Sequence, residues 1–250
     1  MAWDARRLTL SAMIELVSAP ATLPPAQRIY AVGDVHGCFE RLVEMHEQIA
    51  ADLAERPIGC AVLVHLGDYV DRGMESAQVV EWLLAGPPVP VAQVVNLMGN
   101  HEQMMLAAIA QVDTEAGELW LRNGGADSLM SWGVPRSFAQ QDWAGRIPMP
   151  HLLFLRDLAL YHQVGPYLFV HAGIRPGVPL VQQTRQDLLW IREPFLSSKQ
   201  DHGAVVVHGH SPRREPYLGN NRIGIDTGAV IGGALTCVVL EDDKLGFLHT

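Results

Sequence analysis

Positive charge is scarce in this chain, with 18 Lys and Arg against 27 Asp and Glu and a formal charge of -9. That balance leaves no basic face for tracking a nucleic-acid backbone, so nucleic acid is not expected as a partner, although a phosphate held by metal charge stays open. Long apolar runs are lacking too, and none approaches the roughly 20 residues that a membrane span needs. Cysteine is sparse. Cys38, Cys60 and Cys237 are odd in number, far apart, and set in apolar runs or beside a glycine turn. They read as reduced thiols of a cytoplasmic protein. No internal repeat, Walker loop or dinucleotide glycine fingerprint occurs. His101-Glu102-Gln103-Met104-Met105 lacks the second histidine of a zincin helix, and Gly209 to Arg213 lacks the closing glycine of a nucleophile elbow.

What is present centres on Ile29 to Glu102. Three polar, glycine-bounded motifs recur there: Gly33-Asp34-Val35-His36-Gly37, Gly67-Asp68-Tyr69-Val70-Asp71-Arg72-Gly73 and Gly99-Asn100-His101-Glu102. Each follows a strand-like run, at Arg28 to Val32, Cys60 to Leu66 and Val91 to Met98, and each precedes a helical pattern. Phe39, Leu42, Val43, His46, Ile49, Ala50 and Leu53 carry the spacing of a helix packed by one face. The pattern predicts parallel strands joined by right-handed crossovers, so the three turns open into one crevice at the strands' carboxyl ends.

At 250 residues and 48% apolar composition the chain can bury a large core as one domain, expected over residues 28–250. Residues 1–27 read as a short amphipathic helix and a stiff proline-rich linker, because Glu15 interrupts what would otherwise pass for a targeting signal. Residues 112–150, with Trp120, Trp132 and Trp143, read as a mostly helical cap insertion. Its tryptophans either glue an irregular cap to the body or shape a substrate entrance. Strand-like runs return at Tyr167 to Val170, Ala204 to Val207, Arg222 to Ile225, Ala234 to Leu240 and Leu245 to Leu248, as in a second, largely antiparallel sheet. Gly228 to Gly233 reads as a turn between strands. Two of the runs end in histidines, at Val170-His171 and Val207-His208-Gly209-His210, where a strand end can present a ligand. His208 reads as a bystander.

Carboxylate, imidazole and amide oxygen suit hard or borderline divalent metals. One ion would take Asp34, His36 and Asp68; a second would share Asp68 and add Asn100, His171 and His210. A bridging carboxylate suits an ion pair roughly 3.5–4 Å apart, and water between the ions becomes hydroxide near neutral pH, which supplies a nucleophile. Arg72 offers fork-shaped donors to a phosphoryl group, and Arg192 is a second candidate. His101, beside Asn100 and within reach of Asp71, suits a general acid with its orienter.

These residues resemble the calcineurin-like metallophosphoesterases, and within them the phosphoprotein phosphatases. Gly33-Asp-Val-His-Gly37, Gly67-Asp-Tyr-Val-Asp-Arg-Gly73, Gly99-Asn-His-Glu102, His171-Ala-Gly173 and Gly209-His-Ser211 appear in order. Gly99 to Met105, Trp190-Ile-Arg-Glu193 and Ile225 to Val230 are similar to the bacterial phosphatases of the bacteriophage lambda type. The resemblance implies an α/β fold, an αββα sandwich of two mixed sheets flanked by helices, with a small helical cap. It implies two divalent ions, Mn2+ or in its place Fe, Zn, Ni or Mg, and hydrolysis of phosphomonoesters without a phosphoenzyme. It carries ligand roles onto Asp34, His36, Asp68, Asn100, His171 and His210, acid work onto His101 with Asp71, and phosphate binding onto Arg72 and Arg192. Ser211 stands where the subgroup usually has threonine. The expected substrate is a phosphoprotein bearing phosphoserine, phosphothreonine or phosphotyrosine. The alternatives are a symmetrical bis(5'-nucleosyl)-tetraphosphate hydrolase, against which Asp71 argues, and a metal-free scaffold, which would have lost ligands.

Overall fold

The computed structural model describes residues 14–110, 114–135 and 137–250. In chain order the strands are β1 (Val17–Ser18), β2 (Gln27–Val32), β3 (Cys60–His65), β4 (Gln93–Asn96), β5 (Tyr161–Val164), β6 (Tyr167–Val170), β7 (Val205–His208), β8 (Tyr217–Leu218), β9 (Arg222–Gly224), β10 (Thr236–Glu241) and β11 (Lys244–His249). The helices are α1 (Phe39–Glu55), α2 (Ser76–Ala85), α3 (Asn100–Ala110), α4 (Thr114–Trp120), α5 (Ala126–Ser131), α6 (Met149–Arg156) and α7 (Arg185–Trp190). One sheet runs β1-β11-β10-β2-β3-β4 and the other β5-β6-β7-β9-β8.

The layering follows from the two-residue period of the strands. Ile29, Ala31, Val62, Val64, Val238 and Leu240 face the second sheet and meet Tyr167, Phe169, Val205, Val207 and Ile223. Their neighbours Tyr30, Val32, Leu63, Cys237 and Val239 point the other way, onto Leu42, Met45 and Ile49 of α1 and Val79 and Val80 of α2. On the far side, Leu168, Val170 and Val206 cover Leu188 of α7, Ile191 and Phe195. The result is four layers, helix, sheet, sheet and helix, with the central strands of each sheet buried on both faces. Fully burying one such Val or Leu stabilises the fold by about 1.5–3 kcal/mol.

Strands β2, β3 and β4 are parallel, as the strand, turn and helix pattern predicts. The second sheet departs from expectation. β6, β7 and β9 run parallel and only the edge strands β5 and β8 are antiparallel. Both Tyr-Leu-Phe-Val of β6 and Val-Val-Val of β7 are buried without alternation, the pattern of strands covered on two faces. The runs at Ala234 and Leu245 also leave that sheet. β10 and β11 join the first one, where β10 pairs with β2 in the register Cys237↔Val32 to Glu241↔Arg28.

At the amino terminus the structure departs from the expected helix at Val17 and Ser18. Most of the expected helix lies outside the described residues, but Val17–Ser18 is a strand paired with Leu245 and Lys244. The following segment, expected as a stiff linker, is tied to the body: Ala19 and Leu23 donate backbone N–H groups to Asp243 and Asp242, and Ala21 accepts from the Tyr167 hydroxyl. Gly228 to Gly233 holds a single 3-10 turn, Ala229–Ile231. Among the described residues, no helix is long and apolar enough to cross a membrane.

Candidate metal centre

Six loops at the carboxyl ends of parallel strands converge on one point. Asp34 and His36 follow β2, Asp68 follows β3, and Asn100 opens α3 after β4; His171, His210 and Asp226 follow β6, β7 and β9. Asp34, His36, Asp68, Asn100, His101, His171, His210 and Asp71 are all buried. Asp68 is the hub. Its Oδ2 lies 3.5 Å from His36 Nε2 and 4.0 Å from His101 Nε2, while its Oδ1 lies 3.4 Å from His171 Nε2. Asn100 Oδ1 sits 2.9 Å from both His171 Nε2 and His210 Nδ1.

The histidines are oriented from behind. His36 Nδ1 and His171 Nδ1 each lie 2.9 Å from a backbone carbonyl, of Val70 and Leu66 respectively, so each donates there and turns Nε2 into the cluster. Fixing one ring nitrogen on a carbonyl is how proteins aim a metal-binding imidazole. Two groups of donors result, His36 with Asp68 and His101, and Asp68 with His171 and His210, with ligand atoms within 4.8 Å of one another in each. Asp34 belongs to neither of these two groups: its Oδ2 accepts the His210 backbone N–H at 3.0 Å and its Oδ1 is buried with no hydrogen-bond partner. A buried, unpartnered carboxylate oxygen beside imidazoles and an amide oxygen is what a divalent cation would satisfy, so the residues present fit a metal pair. Gly209 is required here, because a Cβ on it would collide with that same Asp34 oxygen.

The buried charges act strongly on one another. Burial lifts the Asp34 carboxyl well above the usual range, with Asp226 and Asp68 adding to it. Burial lifts Asp68 as well, but the imidazoles of His171 and His101 outweigh it and hold the carboxyl down. Burial alone would lower His171, yet Asp68 and Asp34 carry it up to about 10. In His101 the same contest, burial against Asp68 and Asp71, ends with the imidazole raised. Its Nδ1 lies 2.7 Å from Asp71 Oδ2. Burial holds His36 and His210 down to about 3.

The two arginines differ in placement. Arg72 Nη1 reaches His36 Nε2 at 2.8 Å. Arg192 is exposed after α7, and its charge is felt at His210. His208 is a structural residue: its Nδ1 donates to Gly209 O at 3.0 Å and its Nε2 faces Arg222 at 3.2 Å.

Two carboxylates escaped the sequence reading. Glu102 is fully buried and gathers four backbone N–H groups, from Asp68 (2.9 Å), Tyr69 (2.7 Å), Val70 (3.1 Å) and Gly99 (2.8 Å), so it ties the second motif to the third. Asp226, buried at the end of β9, feels Asp68 and Arg72 and accepts the Gly228 N–H at 3.0 Å. The strand-end pattern that singled out His171 applies equally to Asp226, which follows the run Arg222 to Ile225.

The model of the calcineurin-like phosphoesterase family matches residues 27–233, which include every group described above. The chain belongs to this family. As a calcineurin-like phosphoesterase it is a hydrolase of phosphoesters, built on the family's paired sheets. It is 29% identical over 234 residues to serine/threonine-protein phosphatase 1 of Salmonella typhimurium, covering 86% of this chain and 93% of that protein. It is also 25% identical over 227 residues to an asymmetrical bis(5'-nucleosyl)-tetraphosphatase of Anoxybacillus flavithermus, covering 83% and 88%. Among solved structures, a cold-active protein-tyrosine phosphatase of a psychrophilic Shewanella superposes with a TM-score of 0.61 at 17% identity, over 91% of this chain and 83% of the other. That likeness is one of fold.

Proposed function

We propose that this phosphoesterase is a two-metal phosphomonoesterase acting on phosphoproteins, chiefly at phosphoserine and phosphothreonine. The observation that carries the proposal is the buried His101–Asp71 pair at 2.7 Å, set 4.0 Å from the shared carboxylate Asp68. Asp34, His36 and Asp68 would hold one cation; Asp68, Asn100, His171 and His210 would hold the other, Mn2+ being the expected ion. Two dications there would supply an activated water and neutralise phosphate charge. The chain's own groups do the rest. Arg72 and Arg192 bind the phosphoryl oxygens from the open side, Arg72 with a two-pronged guanidinium. His101, kept protonated by Asp68 and Asp71, donates the Nε2 proton to the departing serine or threonine oxygen, while Asp71 accepts from Nδ1 and holds the ring. An alkoxide needs that proton; a nucleotide phosphate leaves without it.

Similarity to tetraphosphatases favours a second reading, hydrolysis of a bis(5'-nucleosyl) tetraphosphate, and those relatives carry the asymmetrical designation where the sequence reading considered the symmetrical one. Turnover with Mn2+ on phosphoserine peptides, dinucleoside tetraphosphates and p-nitrophenyl phosphate tests the proposal. The expected outcome is highest kcat/KM on the phosphopeptides. Higher kcat/KM on the tetraphosphate would overturn it in favour of the second reading.

A further inference from the structure

Seven non-glycine residues among those described have positive φ, and five of them lie in the metal-centre loops: His36 (46°), Asp68 (52°), Asp71 (74°), Arg72 (70°) and His210 (63°). Two are consecutive. A pair of left-handed residues persists only where its surroundings over-determine it. For Asp71-Arg72 much of that support comes from one place, the helical segment after α3.

In this segment α4 passes through one turn of π-helix, Leu121–Gly125, into α5, with a kink at Gly124 (φ 104°). The kink lets both helices face the same carboxylate. From α4, Trp120 Nε1 donates to Asp71 Oδ1 at 2.9 Å and Oδ2 at 3.0 Å. From α5, Ser128 Oγ accepts the Asp71 backbone N–H at 2.7 Å and donates to Asp71 Oδ1 at 2.7 Å. Between them, Gly124 O accepts the Arg72 N–H at 3.3 Å. Trp120 and Ser128 are both completely buried, and the Trp120 ring packs edge-on against Trp143 at 5.6 Å.

We propose that Trp120 and Ser128 are positioning residues for proton transfer: by fixing the plane of the Asp71 carboxylate they aim its Oδ2 at His101 Nδ1, so the cap segment is part of the machinery that delivers the proton. This rests on the reading of His101 as the general acid. The geometry supports the chain of action, because Oδ2 is shared between Trp120 Nε1 and His101 Nδ1, and Oδ1 is saturated by Trp120 and Ser128. Freed of them, the carboxylate can rotate away from the imidazole.

The test uses Trp120→Phe, which deletes the N–H and keeps an aromatic ring, and Ser128→Ala, which deletes the hydroxyl, each alone and in a His101→Asn background. On a phosphoserine peptide each single variant should lose about 10- to 100-fold in kcat with KM little changed, the range typical of residues that orient an active-site group. On p-nitrophenyl phosphate, whose leaving group needs no proton, the loss should be no more than a few-fold, and Mn2+ content should stay at the wild-type value. In the His101→Asn background neither variant should lower phosphoserine turnover further, because groups acting through one residue are not additive. Equal losses on both substrates, or the full loss repeated in the His101→Asn background, would show that Trp120 and Ser128 only hold the fold and would overturn the inference. His101→Asn alone separates the two levels of argument: if it slows both substrates equally with metal bound, the acid reading itself falls. Should Trp120→Phe not fold, Ser128→Ala decides the matter by the same criteria.

Discussion

Replacing Glu102 with Gln isolates what that carboxylate contributes. Oε2 accepts from Asp68 and Gly99, and Oε1 from Tyr69 and Val70, so each oxygen serves two backbone donors. An amide keeps one acceptor oxygen and puts an NH2 donor where the other stood. Whichever way it turns, two buried N–H groups lose their acceptor and face another donor. At about 1–3 kcal/mol for each unpaired buried donor, the substitution should remove about 2–6 kcal/mol, a large share of the about 5–15 kcal/mol that holds a domain together. It should also loosen Asp68, whose own N–H and left-handed conformation (φ 52°) depend on this contact. Burial, with Asp68, lifts Glu102 to about 7. Urea unfolding at about pH 8.5, where the carboxylate is ionised, therefore measures the loss, with Glu118→Gln on the exposed face of α4 as a control expected to stay within about 0.5 kcal/mol. A midpoint for Glu102→Gln that corresponds to less than about 1 kcal/mol would refute the reasoning, because it would mean that the four donors find other partners.

His101→Asn should slow phosphoserine peptide turnover far more than p-nitrophenyl phosphate turnover at unchanged metal content, and Asp71→Asn should do so more mildly; equal effects on the two substrates would remove His101 from the acid role. Arg72→Lys should lower kcat/KM about 100-fold, the scale of one preorganised donor, since an ammonium lacks the fork; activity equal to wild type would make Arg72 a surface residue. His46 and His65 give a pH effect away from the metal centre. Trp82 Nε1 donates to His46 Nδ1, His46 Nε2 to His65 Nε2, and His65 Nδ1 to Asn96 Oδ1, a chain that requires both rings to be neutral. Burial lowers His46 to about 2 and His65 to about 4. In the unfolded chain both titrate near 6.5, so their contribution is complete above that pH and is lost as pH falls, toward 4 for His65 and toward 2 for His46, by up to about 1.4 kcal/mol per pH unit for each ring. Urea midpoints between pH 7.5 and 5 should fall less steeply in His46→Leu/His65→Val than in wild type; parallel slopes would contradict this.

The first half of the chain was legible because its chemistry is local. A strand, a glycine turn with a polar residue, and an amphipathic helix follow one another three times, and the parallel topology this implies brings Asp34, Asp68 and Asn100 to one edge. Histidines at strand ends added His171 and His210. What escaped depends on partners remote in sequence. Ala234 to Leu240 reads as a strand, but nothing in the run says that it pairs with β2 rather than β9. Val17–Ser18 is too short to show a period at all. Glu102 acts on backbone N–H groups aimed by left-handed residues, and such aiming leaves no side-chain pattern. Trp120 lies 49 residues from Asp71, and its indole N–H meets that carboxylate across the kink at Gly124, which no local pattern announces.

The metal pair is tested most directly by the number of Mn2+ ions bound per chain, from elemental analysis after chelation and reloading, alongside phosphopeptide turnover. Because Asp68 faces His36 on one side and His171 on the other, the wild-type protein should bind two ions, lose turnover with chelator and recover it with Mn2+, while Asp68→Ala should fall well below two and be inactive. One ion per chain with full turnover, or Asp68→Ala still holding two, would contradict it.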